Sequence, residues 1–230
     1  MARKIAFQGE RGANSDIACN ETYPDMEAVP YRTFEDVFQA VETGECDLAM
    51  IPVENTIAGR VADIHHLLPV SKLSMIAEHY LPIRFQLMAL PGVSLSEITQ
   101  ARSHIMGLGQ CRKFLRENNI TPVTAADTAG AAREVRDAGQ KHVAAIAPRL
   151  AAEVYGLDII AEDIEDESHN TTRFVIMSRE PNDILDVTGL TVTALLFTVR
   201  NVPAALYKAL GGFATNGINV TKLESYMIGG

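Results

Sequence analysis

The amino-acid sequence predicts an α/β protein in which strands alternate with crossover helices. Three observations carry that prediction. Short β-rich runs such as Ile5 to Gln8, Asp47 to Ile51 and Val143 to Ala147 are separated by segments of helical period. Those segments open on capping residues and close on glycine. A hydrophobic fraction of 47% over 230 residues supplies enough apolar side chain for a real core, in one large domain or two modest ones.

Taken in order, Ile5 to Gln8 reads as a buried strand. A loop with Gly9 and Gly12 then leads to Asn14 or Ser15, either of which can cap a helix through Tyr23. From Thr33 the apolar residues Phe34, Val37, Phe38 and Val41 fall at i, i+3, i+4 and i+7, with Asp36 three residues after the cap and Gly44 as the stop. Asp47 to Ile51 is the next strand, ended by Pro52, and 53–59 is a turn opening onto a helix near Val61 to Leu68. Two longer β-like runs, Ser74 to Tyr80 and Arg84 to Leu90, precede a second lobe. This lobe comprises a strand before Ser103, a helix from about Gly109 to Asn118 and a strand near Pro122 to Ala125. An Ala-rich helix from Asp127 or Thr128 to Gly139 and the strand Val143 to Ala147 come next. Pro148 and Gly156 then bracket a helix. The strand Asp158 to Ala161, the acidic stretch 162–167 and the strand Thr172 to Ser178 complete this part. The polar segment 179–190 reads as a linker. A new unit follows: a strand Thr191 to Val199, a helix opened by Pro203 through Leu206, Leu210 and Phe213, and a strand Ile218 to Tyr226.

Composition removes several classes of function. The formal net charge is −9 and no window is dense in Lys and Arg, so the phosphate-neutralising surface of a nucleic-acid binder is missing. Cys19, Cys46 and Cys111 are far apart and odd in number, as expected of reduced thiols. The N-terminus runs into a strand without an apolar leader, and no run approaches a membrane span, so a cytoplasmic protein is expected. His65 and His66 are adjacent on an expected helix, point about 100° apart and cannot chelate one ion. Neither a dinucleotide fingerprint nor a P-loop occurs.

Four turns share one design, a strand running out into a polar or glycine-rich segment at a helix start: 9–15, 54–59, 103–110 and 126–128. In open α/β folds such turns gather outside the carboxyl ends of strands, where helix N-termini suit a small anion. Asn170-Thr171-Thr172-Arg173-Phe174 adds a hydroxyl, a cation and an aromatic face at the head of a strand, with Thr172 and Phe174 on one side and Arg173 on the other. A β-propensity run with one exposed arginine would look the same.

That segment is similar to the Thr-Arg-Phe signature of the prephenate dehydratase family, and further blocks follow the family's order. Ile5-Ala6-Phe7-Gln8-Gly9 with Gly12 and Ser15 resembles its opening turn. Ile51-Pro52-Val53-Glu54-Asn55-Thr56 with Gly59 and Val61 resembles its Pro-x-Glu-Asn-Ser block, with Thr56 keeping the hydroxyl. Ser103-His104 with Gln110-Cys111 resembles its Ser-His and Gln-Cys block, although Ile105-Met106 stand where Pro-Gln is common. Asp127 to Ala132, and Ala144 to Ala147 with Tyr155-Gly156-Leu157, match later blocks.

The resemblance implies a two-lobed fold like the type II periplasmic binding proteins over 1–178, with lobe 1 about 1–78 plus 162–178 and lobe 2 about 79–161. It implies decarboxylative dehydration of prephenate to phenylpyruvate in the cleft, with no cofactor or metal. Thr172, Arg173 and Phe174 are the implied catalytic residues: Thr172 assists the departing hydroxyl, Arg173 pairs a substrate carboxylate or holds the strand, and Phe174 forms an apolar wall. Ser15, Asn55, Thr56, Gly59, Ser103 and Gln110 are the implied substrate-binding residues. The segment 191–230 resembles the N-terminal part of an α+β ACT regulatory domain, which carries about two more strands and another helix. Asn201, Ala204, Leu206, Glu224 and Ser225 then mark an allosteric site for L-phenylalanine, with Ala204 in place of a loop glycine and Tyr226-Met227 in place of Arg-Pro. A homodimer or homotetramer is implied as well. A solute-binding protein or a transcriptional regulator's effector domain shares the lobed fold; the first would carry a secretion signal, the second a helix-turn-helix and a basic face.

Overall fold

The computed structural model describes residues 2–64, 66–181 and 191–225, which divide into two compact units, 1–183 and 184–230. In the first unit β1 (Lys4–Gln8), α1 (Asn14–Thr22), β2 (Glu27–Tyr31), α2 (Phe34–Glu42), β3 (Leu48–Asn55), β4 (Gly59–Arg60) and β5 (Ser74–Pro82) lead to β6 (Gln86–Ala89). There follow β7 (Gln100–Ser103), α3 (Ile105–Gln110), α4 (Arg112–Glu117), β8 (Thr121–Thr124), α5 (Thr128–Ala138), β9 (Val143–Ala147), α6 (Arg149–Tyr155), β10 (Asp158–Ala161) and β11 (Thr171–Ser178). One sheet has the order β2-β1-β3-β11-β5, with β4 hairpinned onto β3; the other has the order β10-β6-β9-β7-β8.

The two sheets repeat one arrangement without repeating sequence. In the first, β2, β1, β3 and β5 run parallel and β11 is antiparallel among them. In the second, β10, β9, β7 and β8 run parallel and β6 is the antiparallel member. β6 is the first strand after the chain leaves lobe 1, and β11 is the strand that brings it back. The first sheet therefore extends to Pro82, past the boundary expected near residue 78.

Local sequence explains most of these elements. Thr33 caps α2 by accepting the Asp36 N–H at 3.1 Å, and Phe34, Val37, Phe38 and Val41 are buried against Ile51, Val175 and Met177. Each such burial contributes about 1.5–3 kcal/mol before ordering costs. Asp127 caps α5, Gly139 ends it at φ +64, and the buried Ala129, Ala131 and Ala132 let the helix approach the Ala-rich β9 closely. The cap of α1 is Ala13, so Asn14 and Ser15 lie in its first turn instead of capping it.

Four elements depart from expectation. β3 continues through Pro52 because its pairing with β1 stops at Met50, and a proline can be accommodated where a strand has lost a neighbour on one side. The helix expected over 61–68 is one 3-10 turn, Ala62–Ile64; His65 lies outside the described residues, and the exposed His66 pairs with Glu35 at 3.2 Å. The helix expected over 109–118 is two short helices broken at Cys111. The expected linker begins at Arg179, but that guanidinium donates to the Val41 carbonyl in the last turn of α2 and to the Cys46 carbonyl beyond it; the remainder, 182–190, lies outside the described residues.

At the front of the first unit the lobes are clasped. Arg133 on α5 binds Glu10 in bidentate fashion at 2.8 and 2.9 Å. The Tyr155 hydroxyl donates to the Arg11 carbonyl at 3.0 Å. Between these contacts Gly12, at φ +85, lies so close to α6 that a Cβ would sit 2.7 Å from Ala151 Cα, so only glycine fits.

The second unit contributes α7 (Ala205–Thr215), opened by Ala204 and not by Pro203. No strand occurs among residues 191–225, where the segments Thr191 to Val199 and Ile218 to Tyr226 were expected as strands. A strand needs a hydrogen-bonded neighbour. In a split β-α-β layout the segments flanking the helix are separated by a third strand, which the described residues do not contain. Tyr226 and Met227 lie outside the described residues.

Two expectations follow. The Arg133 hydrogen bond holds the Glu10 carboxyl below its ordinary value of 4.5. A depressed folded pKa means that the clasp's contribution is complete above that ordinary value and is lost as pH falls through the lower folded one. Glu10→Gln should be less stable than wild type near neutral pH, by about 1 kcal/mol or less for so exposed a pair. Thermal melts should show the gap closing as pH falls below the ordinary carboxylate value. Ala204 sits at φ +61, a left-handed backbone that costs a non-glycine residue about 1 kcal/mol. Ala204→Gly should therefore slow amide exchange at Lys208, whose N–H bonds to the Ala204 carbonyl. Faster exchange would count against strain at that position.

Candidate active site

Two of the polar turns, 54–59 in lobe 1 and 103–110 in lobe 2, meet around the start of β11. Antiparallel pairing sets Thr172 opposite Asn55 on β3. The Asn55 Nδ2 group donates to Thr172 Oγ1 at 2.9 Å and to Asn170 Oδ1 at 2.6 Å. Asn170 Nδ2 in turn donates to Gln110 Oε1, at the end of α3 in lobe 2, at 2.5 Å. Asn55 Oδ1 accepts the N–H groups of Ile57 and Ala58, an Asx turn that closes the β3–β4 hairpin. Thr172 keeps 9% of its surface, whereas Asn170 keeps 2%. The Thr172 oxygen accepts from Asn55, and a hydroxyl that accepts one hydrogen bond can still donate its proton.

The other residues singled out from sequence differ in what they hold. Thr56 and Ser103 brace backbone: Thr56 Oγ1 donates to the His169 carbonyl at 3.0 Å and accepts the Thr171 N–H at 2.9 Å, while the buried Ser103 donates to the Ile146 carbonyl at 2.6 Å. Gly59, at φ +80, pairs with Asn55 across the hairpin and leaves the space beside it open. Ser15 is buried in the first turn of α1, a helix whose Ala13 cap offers its first N–H groups no side-chain acceptor. His104 caps α3, with Nδ1 accepting the Met106 N–H at 3.3 Å.

Arg173 and Phe174 point elsewhere. Arg173 donates to Glu78 at 2.8 Å and stands 3.7 Å from Glu54, so its charge is committed to β5 and β3. Phe174 is 1% exposed and packs in the core that includes Ile5, Phe7, Met50 and Ile176. In the second unit Asn201, Ala204, Leu206 and Ser225 are exposed, and Glu224 pairs with Lys222 at 3.2 Å.

Sequence reading missed two contributors. Asp16, fully buried, accepts the Gly12 N–H at 2.8 Å and the Arg11 Nε–H at 3.0 Å, and so shapes the first loop. Asn170 was visible only as the residue two before Thr172. Among the described residues no three His, Cys, Asp or Glu side chains are grouped to hold a metal ion, and no helix is long and apolar enough to cross a membrane. Cys19, Cys46 and Cys111 are free and buried, and burial pushes each thiol pKa up.

A family model described as "Prephenate dehydratase" matches residues 5–182. A protein of Komagataeibacter europaeus named as a bifunctional N-acyl-homoserine lactone acylase/prephenate dehydratase is 46% identical over 228 residues, covering 99% of this chain and 81% of that protein. Arogenate dehydratase/prephenate dehydratase 1, chloroplastic, of Arabidopsis thaliana is 40% identical over 222 residues, or 96% of this chain and 56% of the relative. The chain thus spans little more than half the length of that plant relative. A crystal structure of prephenate dehydratase in complex with L-Phe from Arthrobacter aurescens is similar with a TM-score of 0.83 at 29% identity, covering 97% of this chain and 76% of that one.

The pairing of Arg173 can be tested without a substrate. Arg173→Gln should cost about 1–3 kcal/mol in denaturant unfolding. Combined with Glu78→Gln, it should cost less than the two single changes added together; strict additivity would remove Arg173 from that pairing.

Proposed function

The chain belongs to the prephenate dehydratase family, and from that premise we propose that it converts prephenate to phenylpyruvate, with Thr172 at the reacting centre. The observation that carries this reading is the Thr172 hydroxyl, held by the Asn55 amide at the junction of the two lobes and able to donate its proton. In the reaction the bond from the ring to its carboxylate breaks and its electron pair enters the ring. The bond to the hydroxyl across the ring then breaks, so that carbon dioxide and hydroxide leave and a benzenoid ring forms. Aromatisation drives the process; the protein supplies a pose and a stabiliser for charge on the departing oxygen.

A threonine hydroxyl is a poor acid, so Thr172 acts by donating a hydrogen bond that strengthens as negative charge develops on the leaving oxygen. Gln110 and the first turn of α1 with Ser15 supply neutral donors for the carboxylates, while Asn55, Thr56, Gly59 and Ser103 hold the frame of the site. Phe174 and Arg173 act from behind, one as core and one as an ion-paired strut. The reaction as written needs no cofactor or metal, and the buried thiols suit a cytoplasmic enzyme.

The segment 191–230 we read as the start of an ACT unit whose Asn201 to Leu206 loop and Glu224-Ser225 bind L-phenylalanine. Support comes from the turn into α7 and from the L-Phe complex of the Arthrobacter relative. The exposed Leu195, Leu196, Phe197, Tyr207 and Ile218 support assembly into a homodimer or homotetramer, which would cover them.

Ultraviolet detection of phenylpyruvate after adding prephenate tests the activity. Thr172→Ala should lower kcat by about two to three orders of magnitude, with its melting curve close to wild type. Near-wild-type turnover would remove Thr172 from the reaction.

A further inference from the structure

We infer that Asn170, a residue with almost no access to substrate, sets the hydrogen-bond polarity of the active site. This rests on the prephenate dehydratase reading. The two ends of a carboxamide have nearly the same shape, and which end points where is decided by neighbours that can only donate or only accept. Such neighbours exist at one end of the chain of amides. The N–H groups of Ile57 and Ala58 can only donate, and both reach Asn55 Oδ1, at 3.0 and 2.8 Å. The Asn55 amide is thereby fixed with its NH2 facing inward.

Everything downstream follows from that choice. Asn55 Nδ2 donates to Thr172 Oγ1 and to Asn170 Oδ1, so Asn170 must turn its own NH2 to Gln110, whose Oε1 accepts at 2.5 Å. Gln110 is left with its NH2 as the group able to reach a ligand, and Thr172 with its hydroxyl proton. Both then offer donors to an anion carrying two carboxylates and a departing hydroxyl. Asn170 can hold this role because its main chain is also pinned. Its carbonyl accepts the Ile83 N–H at 2.8 Å, joining the returning crossover to the outgoing one. It is a positioning residue and acts through Asn55, Thr172 and Gln110.

An aspartate at this position makes a chemical test. Ionised, it can only accept, so Gln110 must reverse and present its oxygen to the substrate; protonated, it has one acceptor and one O–H donor and reproduces the asparagine. Burial raises the pKa of such a carboxyl, which brings the switch into an accessible range. The surrounding ionisable groups are engaged elsewhere: Asp166 with the Arg112 and Lys113 N–H groups, Glu165 with Arg84, His169 with Glu167, and Glu54 and Glu78 with Arg173. The same groups are present in both proteins, and the ratio to wild type compares the two directly.

The experiment is kcat/KM for prephenate of Asn170→Asp divided by that of wild type, at intervals from about pH 5 to about pH 8.5, with melting curves at each point. The expected ratio is about 10⁻² or lower at the alkaline end and rises at least tenfold toward the acid end. Asn170→Leu, which can neither donate nor accept, should be low and flat. A flat ratio for Asn170→Asp, or a ratio near one throughout, overturns the inference. Should that variant be too unstable to assay, Gln110→Glu reads the same polarity from the other end. It too should regain activity in acid, and a pH-independent ratio there is equally fatal. A wild type that fails to turn over prephenate would instead refute the functional reading.

Discussion

The site depends on the register between β3 and β11, two strands more than a hundred residues apart in sequence that are zipped antiparallel. Because side chains alternate along a strand, a slip of one residue would send Thr172 to the far face and bring Arg173 into its place. The pairing resists such a slip in two ways. Phe174 and Ile176, on the Thr172 side, are buried in one core, while Val175 and Met177 fill another with α2. A register shift between Arg173 and Phe174 then accommodates an extra residue of β3 at the start of the zipper, where Asn55 must face Thr172.

A second constraint acts between lobes. The chain passes between the sheets twice, and Asn170 ties the two passages together through the Ile83 N–H. Elsewhere between the lobes, Glu10 with Arg133, Tyr155 with the Arg11 carbonyl, and Gly12 against Ala151 hold the first loop to α5 and α6. The clasp is polar and half-exposed except where Gly12 meets Ala151, so most of its specificity lies in shape. Burial raises the Tyr155 pKa, and the nearby Glu10 carboxylate adds to the effect, so the phenol stays a donor at any ordinary pH.

What the sequence made legible was local. The 3.6-residue period from Phe34 to Val41, the Thr33 and Asp127 caps and the glycine stops at 139 and 156 are decided by near neighbours, and the elements they predict are present. What it left open was decided at a distance. Pro52 looks like a strand end until one sees that β1 has already dropped away. Arg173 could equally grip a carboxylate or a strand, and only the arrival of Glu78 and Glu54 on either side determines which. Phe174 shares a face with Thr172, yet two residues further along that face the strand has entered the core. The segments at 191–199 and 218–225 have the alternation of strands and no strand neighbour to pair with among the described residues.

The commitment of Arg173 to two glutamates bears on the chemistry itself. A reaction that expels carbon dioxide gains nothing from a guanidinium clamped on the carboxylate to be lost, because that contact is strongest in the ground state and fades as charge moves into the ring. Neutral donors are better suited: they orient the dianion without overstabilising it, and a hydroxyl placed at the departing oxygen gains strength as charge arrives there. The local arrangement fits this economy. The full positive charge at the head of β11 is paired with Glu78, while an amide chain anchored on two backbone N–H groups holds the Thr172 oxygen.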